Sequence, residues 1–213
     1  MKEIDSSKIA YFSKVIIKWE RLHFADFPWR KTTDGWHSLV AEMMLQRTNA
    51  NQVLPVYNRF CMLYPNPEDY SIEENCNIFN SLGLKWRNIK LKELTEIIAK
   101  CEIPIEKNQL MELPGIGDYI ASAYRSLHLG IRDIIIDSNV VRILGRFFGF
   151  LTDPETRRSK KLRELADKLT PQKNFKIYNY GLIDFSRNIC KIKPSCYTCC
   201  LKKKCNYYPE IKK

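Results

Sequence analysis

The sequence has 213 residues, enough for one large domain or two small ones with a core that needs no covalent staple. Its 35 Lys and Arg residues outnumber its 24 Asp and Glu residues, and the net charge of +11 fits a polyanionic partner, although ribosomal and membrane-surface proteins share such a charge. No apolar run approaches the roughly 18 residues of a membrane span, and the start of the chain lacks the apolar stretch of an export signal, so we expect a cytoplasmic protein.

Apolar residues recur at helical spacing along most of the chain, which predicts a mostly helical protein. The first five predicted helices cover 9–19 (capped by Ser6 or Ser7), 36–46, 53–60, the segment from Ser71 to near Gly83, and 89–98. The later ones cover 109–113 (capped by Asn108), 118–127, 140–148, the surroundings of 162–165, and 175–185. The three isoleucines 134–136 resemble a strand but are too few for a sheet. We therefore predict an all-α fold.

A glycine turn joins two of these helices. Pro114 ends the helix before the turn, and Gly115 and Gly117 allow a tight bend with exposed backbone N–H groups. At the start of the helix from Asp118, such N–H groups and the positive end of the helix dipole suit a phosphate. The same residues are also compatible with an ordinary helix–helix turn.

A carboxylate, Asp137, stands directly before the apolar helical pattern of 140–148. An aspartate in this place commonly caps the helix through its side-chain oxygen. A phosphate-binding turn followed by a carboxylate is also the combination expected of an enzyme that holds nucleic acid and does chemistry on it. These residues alone leave both interpretations open.

The eight cysteines divide into two groups. Cys61, Cys76 and Cys101 are scattered through helical patterns, as buried free thiols are. The other five crowd the last 24 residues, at positions Cys190, Cys196, Cys199, Cys200 and Cys205. Since no export signal is present, disulfides are not expected. Four closely spaced thiolates on a loop can bind zinc or a [4Fe–4S] cluster, and the ligand count alone neither chooses between these nor excludes unliganded thiols.

Together these features resemble the endonuclease III superfamily of DNA glycosylases, whose signature is a helix-hairpin-helix, a Gly/Pro-rich loop and an aspartate. The motifs that carry the resemblance are Phe27-Pro-Trp-Arg30, Glu42-Met-Met-Leu-Gln-Arg-Thr48, Leu113-Pro-Gly-Ile-Gly117, Ile136-Asp-Ser-Asn-Val-Val-Arg142 and Tyr178-Asn-Tyr-Gly-Leu-Ile-Asp-Phe-Ser186. The spacing Cys190-x5-Cys196-x2-Cys199-x5-Cys205 is similar to the superfamily's cluster loop, with a first gap one residue shorter and an additional Cys200 that could replace Cys199.

The resemblance implies a two-lobed helix-hairpin-helix DNA glycosylase fold. A six-helix barrel would cover about residues 25–133, and residues 1–24 would join 134–213 in a helical iron–sulfur cluster domain. It also implies a [4Fe–4S] cluster held by Cys190, Cys196, Cys199 and Cys205. This cluster would be structural, because four cysteines leave no iron open to substrate. It would fix the loop that carries Lys191 and Lys193 near DNA phosphates, while the lysines 202–204 either add to that surface or are merely solvated.

The resemblance also assigns the chemistry. Asp137 matches the catalytic aspartate, whose charge stabilises an oxocarbenium-like sugar while the N-glycosidic bond breaks. Tyr119 stands where relatives that also cut the DNA backbone carry a Schiff-base lysine, so we expect a monofunctional glycosylase with absent or weak lyase activity. Glu42 matches the pocket glutamate of two subfamilies, in which partial burial lets it protonate or hydrogen-bond the leaving base. A lone glutamate is otherwise commonly solvated.

The expected partner is double-stranded DNA with its target base flipped out, bound by a monomer associated with the nucleoid of a prokaryotic cytoplasm. Wedge side chains would fill the gap that the base leaves. The residues expected to contact DNA are Gln46, Arg47, Leu84, Gly115, Ile116, Gly117, Asn139, Lys191 and Lys193. Trp86 either stacks on the orphaned base or packs against the helix that follows it.

Two subfamilies compete for the substrate. MutY adenine glycosylases carry a further C-terminal domain that reads 8-oxoguanine, whereas this sequence stops at the cysteine loop. Tyr119 and the motifs around Asp137 and Asp184 resemble the mismatch thymine glycosylases more, so we expect thymine or uracil opposite guanine. A MutY-like adenine glycosylase is the alternative, and a non-catalytic helix-hairpin-helix DNA-binding protein is the second. Asp137 and Glu42 argue against the latter, because phosphate binding gains nothing from acids beside DNA.

Overall fold

The computed structural model describes residues 5–72, 77–83 and 85–210, so Leu84 and Cys76 lie outside the described residues. The regular elements of the described residues are all helical, which confirms the all-α class. The α-helices are α1 (Ser6–His23), α2 (Gly35–Leu45), α3 (Ala50–Leu63), α4 (Pro67–Ser71), α5 (Lys85–Ile98), α6 (Lys107–Glu112), α7 (Asp118–Ala123), α8 (Ser138–Phe148), α9 (Lys160–Leu169), α10 (Phe175–Asn188) and α11 (Tyr207–Glu210). None of the helices in these residues is both long and apolar enough to cross a membrane.

The chain forms two compact units. The central unit is Asp26–Leu129, and the terminal unit combines Met1–Ala25 with Gly130–Lys213. Within its described residues the central unit holds the six helices α2 to α7, and the terminal unit holds α1 and α8 to α11.

Helix α2 forms the centre of the core of the central unit. All its residues from Trp36 to Met44 are buried except the partly exposed His37, so it is apolar on nearly every side, as a surrounded helix must be. Aromatic residues of the neighbouring elements pack around it: Trp29, Tyr57, Phe60, Tyr70 and Phe79.

The prediction of one helix from Ser71 to near Gly83 is wrong for the described residues of that segment. Instead α4 ends at Ser71, and a 3₁₀ helix covers Ile78–Leu82, ending at Gly83 with a left-handed φ of 69°. The buried Asn88 of α5 explains the local geometry, because its Oδ1 accepts a hydrogen bond from the Phe79 N–H at 2.9 Å and its Nδ2 donates to Asn80 Oδ1 at 2.9 Å. A side chain from a later helix thus accepts one of the N–H groups that the start of a helix leaves without a backbone partner.

Two predicted helix caps are also wrong. The N-cap of α1 is Asp5, whose carboxylate accepts the Ser7 N–H at 2.9 Å, rather than Ser6 or Ser7. Helix α6 begins at Lys107 after Glu106, so Asn108 lies inside its first turn. At α1 the capping side chain is thus one residue earlier than predicted, and at α6 the N-cap residue Glu106 makes no capping hydrogen bond through its side chain.

Helix α7 continues beyond Ala123 in a wider helical form. Tyr124–His128 is a π-helical turn, closed by the hydrogen bond from Leu129 N–H to Tyr124 O at 3.1 Å. Such turns are rare and are often found at functional sites, because the additional residue rotates the side chains that follow it.

In the terminal unit, α1 and α10 lie close together along their length. A Cβ on Gly181 would come within 2.9 Å of Ile16 Cγ2 and of Glu20 Cβ, so glycine permits this approach. The apolar face of α8, including Val140, Leu144 and Phe147, completes the core of the unit.

Candidate active site and cysteine loop

Asp137 caps α8. Its backbone is extended, its Oδ1 accepts the Val140 N–H at 2.7 Å, and its Oδ2 accepts a hydrogen bond from Asn139 Nδ2 at 2.8 Å. The carboxylate is half-buried at the positive end of an eleven-residue helix, a position that stabilises a negative charge. Asp137 therefore caps the helix, as the sequence suggested, and the two hydrogen bonds hold both carboxylate oxygens in one orientation.

Arg142, one helical turn after Asn139, fixes the amide that holds Asp137. Its Nη1 donates to Asn139 Oδ1 at 2.9 Å, its Nε donates to the Cys190 carbonyl at 2.9 Å, and its Nη2 donates to the Ser186 carbonyl at 2.8 Å. Burial lowers the pKa of Arg142, while the charges of Cys190 and Asp137 oppose that shift. One guanidinium thus connects the surroundings of Asp137 to the start of the cysteine loop.

Glu42 is almost completely buried in the middle of α2. Its Oε1 lies 2.9 Å from Nε2 of His128, at the end of the π-helical turn. The solvated surface position that is common for a lone glutamate does not apply here, because a hydrogen-bonding partner accompanies the carboxyl into the core.

The glycine turn between α6 and α7 has two different glycines. Gly115 has a left-handed φ of 79°, and a Cβ there would lie 3.1 Å from Lys90 Cβ, so the fold itself requires glycine. A Cβ on Gly117 would meet no atom of the described residues within 4 Å, its chain neighbours aside, so the fold does not require glycine there. Ile116 is buried and its N–H donates to Leu113 O at 3.1 Å, which gives this residue a packing role in the turn.

The two hairpin helices are tied together by Lys107. Its Nζ lies 3.1 Å from Asp118 Oδ1 and donates to Ser122 Oγ at 2.6 Å. Tyr119, the second residue of α7, is partly buried and packs against the core of the central unit. The Tyr119 phenol therefore occupies the position at which, by the resemblance, relatives with lyase activity carry a lysine.

The predicted wedge residues Gln46 and Arg47 follow α2. Arg47 is exposed and has a left-handed φ of 58°, which is uncommon outside glycine and costs of order 1 kcal/mol. The buried Arg87 holds this bend, since its Nη2 donates to Gln46 Oε1 at 2.5 Å and its Nη1 donates to the carbonyls of Met43 and Gln46. Burial and the charge of Arg47 lower the pKa of Arg87 to about 10. Leu84, the third wedge residue, lies outside the described residues.

Trp86 is 58% exposed, with the Arg87 guanidinium 4.9 Å from its ring centroid. The Trp86 indole is therefore exposed to solvent near the bend at Gln46 and Arg47, where it is available for stacking. Packing against helix α5 would have buried the indole.

The four predicted cysteine ligands lie on one loop of the terminal unit. Cys190, Cys199 and Cys205 pack against its core, whereas Cys200 is exposed. Burial raises the pKa of Cys199 to about 12, and the charges of Cys200, Cys190 and Cys205 add to that shift. Burial also raises the pKa of Cys205, and the charges of Cys190 and Cys196 add to that shift. Among residues 5–72, 77–83 and 85–210, however, no three His, Cys, Asp or Glu side chains converge closely enough to hold a single metal ion.

A second arginine of α8 holds the start of this loop. Arg146 donates through Nη1 to the Lys191 carbonyl at 2.7 Å and through Nη2 to the Ile192 carbonyl at 2.9 Å. Lys191, Ile192 and Lys193 are all exposed, with their side chains outside the core. In the 3₁₀ helix Lys202–Lys204, Lys202 donates to the Tyr197 carbonyl at 2.6 Å.

Comparison with known proteins places this geometry in a family, although no protein-family model matches the chain. A thymine-DNA glycosylase of Aeropyrum pernix is 34% identical over 96% of this chain and 97% of its own. A thymine/uracil-DNA glycosylase of Pyrobaculum aerophilum is 36% identical over 93% of this chain and 92% of its own.

The chain belongs to the thymine/uracil-DNA glycosylase family.

Solved structures agree with this membership. The structure of a thermostable thymine-DNA glycosylase superposes with a TM-score of 0.86 at 32% identity, covering 96% of this chain and 98% of the other. A trapped endonuclease III–DNA covalent intermediate gives a TM-score of 0.85 at 22% identity, covering 99% and 100%, which shows the shared fold. An adenine DNA glycosylase of Buchnera aphidicola is 31% identical over 91% of this chain but only 58% of its own length. The superfamily and fold predicted from the sequence are confirmed.

The sequence of this thymine/uracil-DNA glycosylase family member suggested no role for four residues that hold the candidate site: His128, Arg87, Arg142 and Arg146. A signal existed for Arg142 and Arg146, because they follow Asn139 at helical spacing on one face of α8. His128 and Arg87 carried no local signal, since their partners lie 86 and 41 positions away along the chain.

Proposed function

We propose that this protein is a monofunctional DNA glycosylase that hydrolyses the N-glycosidic bond of thymine or uracil mispaired with guanine in double-stranded DNA. The observation that carries the proposal is Asp137, a half-buried carboxylate with each oxygen held by one hydrogen bond. The names of the relatives supply the substrate class, since proteins over 30% identical along nearly their whole length are thymine or thymine/uracil glycosylases.

The chemistry follows from the charge of Asp137. As the bond from C1′ to the base breaks, the sugar becomes positively charged, and a carboxylate that is already oriented stabilises this charge without reorganising. A water molecule then adds its oxygen to C1′ and gives a proton to Asp137. The departing base carries the electron pair of the broken bond, and a proton from Glu42 or a hydrogen bond to it neutralises that charge.

Tyr119 limits the reaction to hydrolysis. Strand cleavage by these enzymes needs an amine that forms a Schiff base with the sugar, and a phenol cannot form one. The product is therefore an abasic site in an intact strand.

DNA binding is assigned to features of both units. In the central unit, which we assign as the six-helix barrel, the turn at Gly115 and Gly117 would meet a phosphate, and Gln46, Arg47 and Leu84 would fill the space of the flipped base. In the terminal unit, Lys191 and Lys193 would contact further phosphates, and Asn139 keeps the catalytic loop in place. Ile116 would act by keeping the turn in shape, because its side chain is buried and its N–H donates to Leu113 O.

We also propose that the terminal unit holds a [4Fe–4S] cluster through Cys190, Cys196, Cys199 and Cys205. Four thiols are the usual donor set of such a cluster, and each binds a different iron, so the sulfurs need not converge on one point as the ligands of a zinc ion do. Cys190, Cys199 and Cys205 all pack against the core of the terminal unit, on a loop whose start Arg146 holds. Cys199 is preferred to Cys200, because Cys199 packs against the core beside Cys190 and Cys205. When bound, the cluster would stabilise the loop and take no part in the reaction.

The test is base release from a panel of duplexes containing G·T, G·U, 8-oxoguanine·A or an oxidised pyrimidine, with enzyme in excess. We expect release from G·T and G·U, with strand breaks only after alkali or heat. Preferential release of adenine would support the MutY-like alternative. The 31% identity to an adenine DNA glycosylase is the observation that favours this alternative. Tight DNA binding without release from any duplex would support the non-catalytic alternative.

A further inference from the structure

Glu42 shares its burial with one partner. The side chains of Glu42 and His128 are 3% and 4% exposed, and Oε1 of the carboxyl lies 2.9 Å from Nε2 of the imidazole. Within the part of the chain that the structure describes, this is the one hydrogen bond to the Glu42 carboxyl. Oε1 is thereby occupied and Oε2 is left for another partner.

The π-helical turn is what delivers His128 to this position. It continues α7 directly and ends on His128, so the histidine is part of the same rigid segment as the hairpin. The ring of Tyr124, at the start of the turn, lies 6.1 Å from the His128 ring at an interplanar angle of 32°. A Cβ on Gly35 would come within 2.8 Å of the Tyr124 hydroxyl oxygen, so the turn also abuts the start of α2. The turn thus meets α2 at two points, through the Tyr124 hydroxyl at Gly35 and through the His128 imidazole at Glu42.

A buried ionisable pair is not explained by stability. Removing two such groups from water costs several kcal/mol, and apolar residues of similar volume commonly stabilise a fold as well or better. The neighbours of Glu42 on α2, which are Leu39, Val40, Met43 and Met44, are all fully buried apolar residues, so the helix that carries the carboxyl lies in an apolar core. A requirement other than packing accounts for the pair.

We infer that His128 is a positioning residue for Glu42. This inference rests on the proposed function of the Glu42 carboxyl in base release. The hydrogen bond to Oε1 fixes the rotamer and the plane of the carboxyl, so that Oε2 meets the flipped base in one orientation. Misplacing a reacting group by about 1 Å can cost on the order of 100-fold in rate. His128 therefore acts through Glu42 and does not touch the base.

The experiment compares three substitutions of His128 in the full chain. His128→Ala removes the hydrogen bond, His128→Gln places an amide nitrogen at the same number of bonds from Cα as Nε2, and His128→Asn carries the same amide one bond too short. The matched control is His37→Ala, which removes a histidine of α2 itself, whose Nε2 lies 3.0 Å from the Tyr64 carbonyl oxygen. Single-turnover base release from G·U and G·T duplexes, the Kd for DNA and the thermal midpoint are measured for each variant.

We expect His128→Ala and His128→Asn to slow base release by about 10- to 100-fold, with the Kd for DNA within about twofold of wild type, and His128→Gln to recover much of the rate. His37→Ala should keep the wild-type rate. Adding His128→Ala to Glu42→Gln should slow release little further, because the histidine acts through the carboxyl.

A wild-type rate in His128→Ala beside a slow Glu42→Gln would overturn the inference. So would equal loss in His128→Gln and His128→Asn, including the case in which His128→Ala fails to fold. Absence of base release by the wild-type protein is a different result, which refutes the proposed function itself.

Discussion

Asp137 has two roles that substitution can separate, because one depends on shape and the other on charge. Asn is as good an N-cap as Asp, so Asp137→Asn keeps the hydrogen bond from Val140 N–H. The new amide nitrogen at position 137 would, however, face Asn139 Nδ2, and two N–H donors cannot bond to each other. Asn139 Oδ1 cannot accept instead, because it already accepts from Arg142, so one hydrogen bond is lost. Loss of that bond costs about 1 kcal/mol.

Asp137→Ala removes more of the structure. It loses the cap, worth about 1 kcal/mol, the charge at the positive end of α8, worth about 0.5 kcal/mol, and the bond from Asn139, worth about 1 kcal/mol. The expected total is about 2–3 kcal/mol, and at about 2–4 °C per kcal/mol for a chain of this length the thermal midpoint should fall by about 4–12 °C. Asp137→Asn keeps the cap but loses the charge and the bond from Asn139, about 1.5 kcal/mol together, so its midpoint should fall by about 3–6 °C.

Base release should follow charge instead of stability. Both variants should lose on the order of 100-fold or more in single-turnover rate, with DNA binding retained, because neither has an anion to stabilise the sugar. The control is Ser159→Ala, which removes the cap of α9 in the same unit, where Ser159 Oγ accepts the Leu162 N–H at 3.2 Å. It should lose about 1 kcal/mol of stability with an unchanged rate. A near-wild-type rate in Asp137→Asn would refute the catalytic role, and a wild-type midpoint in Asp137→Ala would refute the energetic estimate.

Three further predictions concern the turn, the cysteine loop and the lyase position. Gly117→Ala should leave the thermal midpoint unchanged and weaken binding to all DNA sequences alike. Gly115→Ala should weaken binding in the same way and also destabilise the fold by about 1 kcal/mol or more, because Gly115 has a left-handed φ. Calorimetry measures the stability of both variants, and binding titrations at several salt concentrations measure their DNA affinity. The purified protein should absorb broadly near 400 nm and contain about four irons, Cys200→Ser should keep that iron and Cys190→Ser should lose it, and a colourless protein with one zinc would contradict the cluster. Tyr119→Lys should gain a Schiff base that borohydride traps on DNA, provided the amine reaches C1′, and the wild type should show no such adduct.

The sequence by itself determined the helical class and the course of most helices, because the spacing of apolar residues reflects one face of each helix and is a local property. Helix α8 illustrates this, since Asp137 before the apolar pattern of 140–148 is a local signal, and in the structure it caps a helix that ends at Phe148. At the start of α1, where several polar residues compete, local signals did not identify the cap, and at α6 they predicted a cap at a residue that lies inside the helix.

Only the tertiary structure decided which side chains meet. Asn88 sets the geometry of the 3₁₀ helix before it, and Arg87 holds the bend at Gln46, through hydrogen bonds between separate segments of the chain. His128 reaches Glu42 because a π-helical turn adds one residue to the helix, which no apolar period reveals. A lone buried glutamate is improbable from composition, and it becomes tolerable only with a partner that folding brings to it. The pairing of these residues is a property of the packed core, so sequence spacing could not contain it.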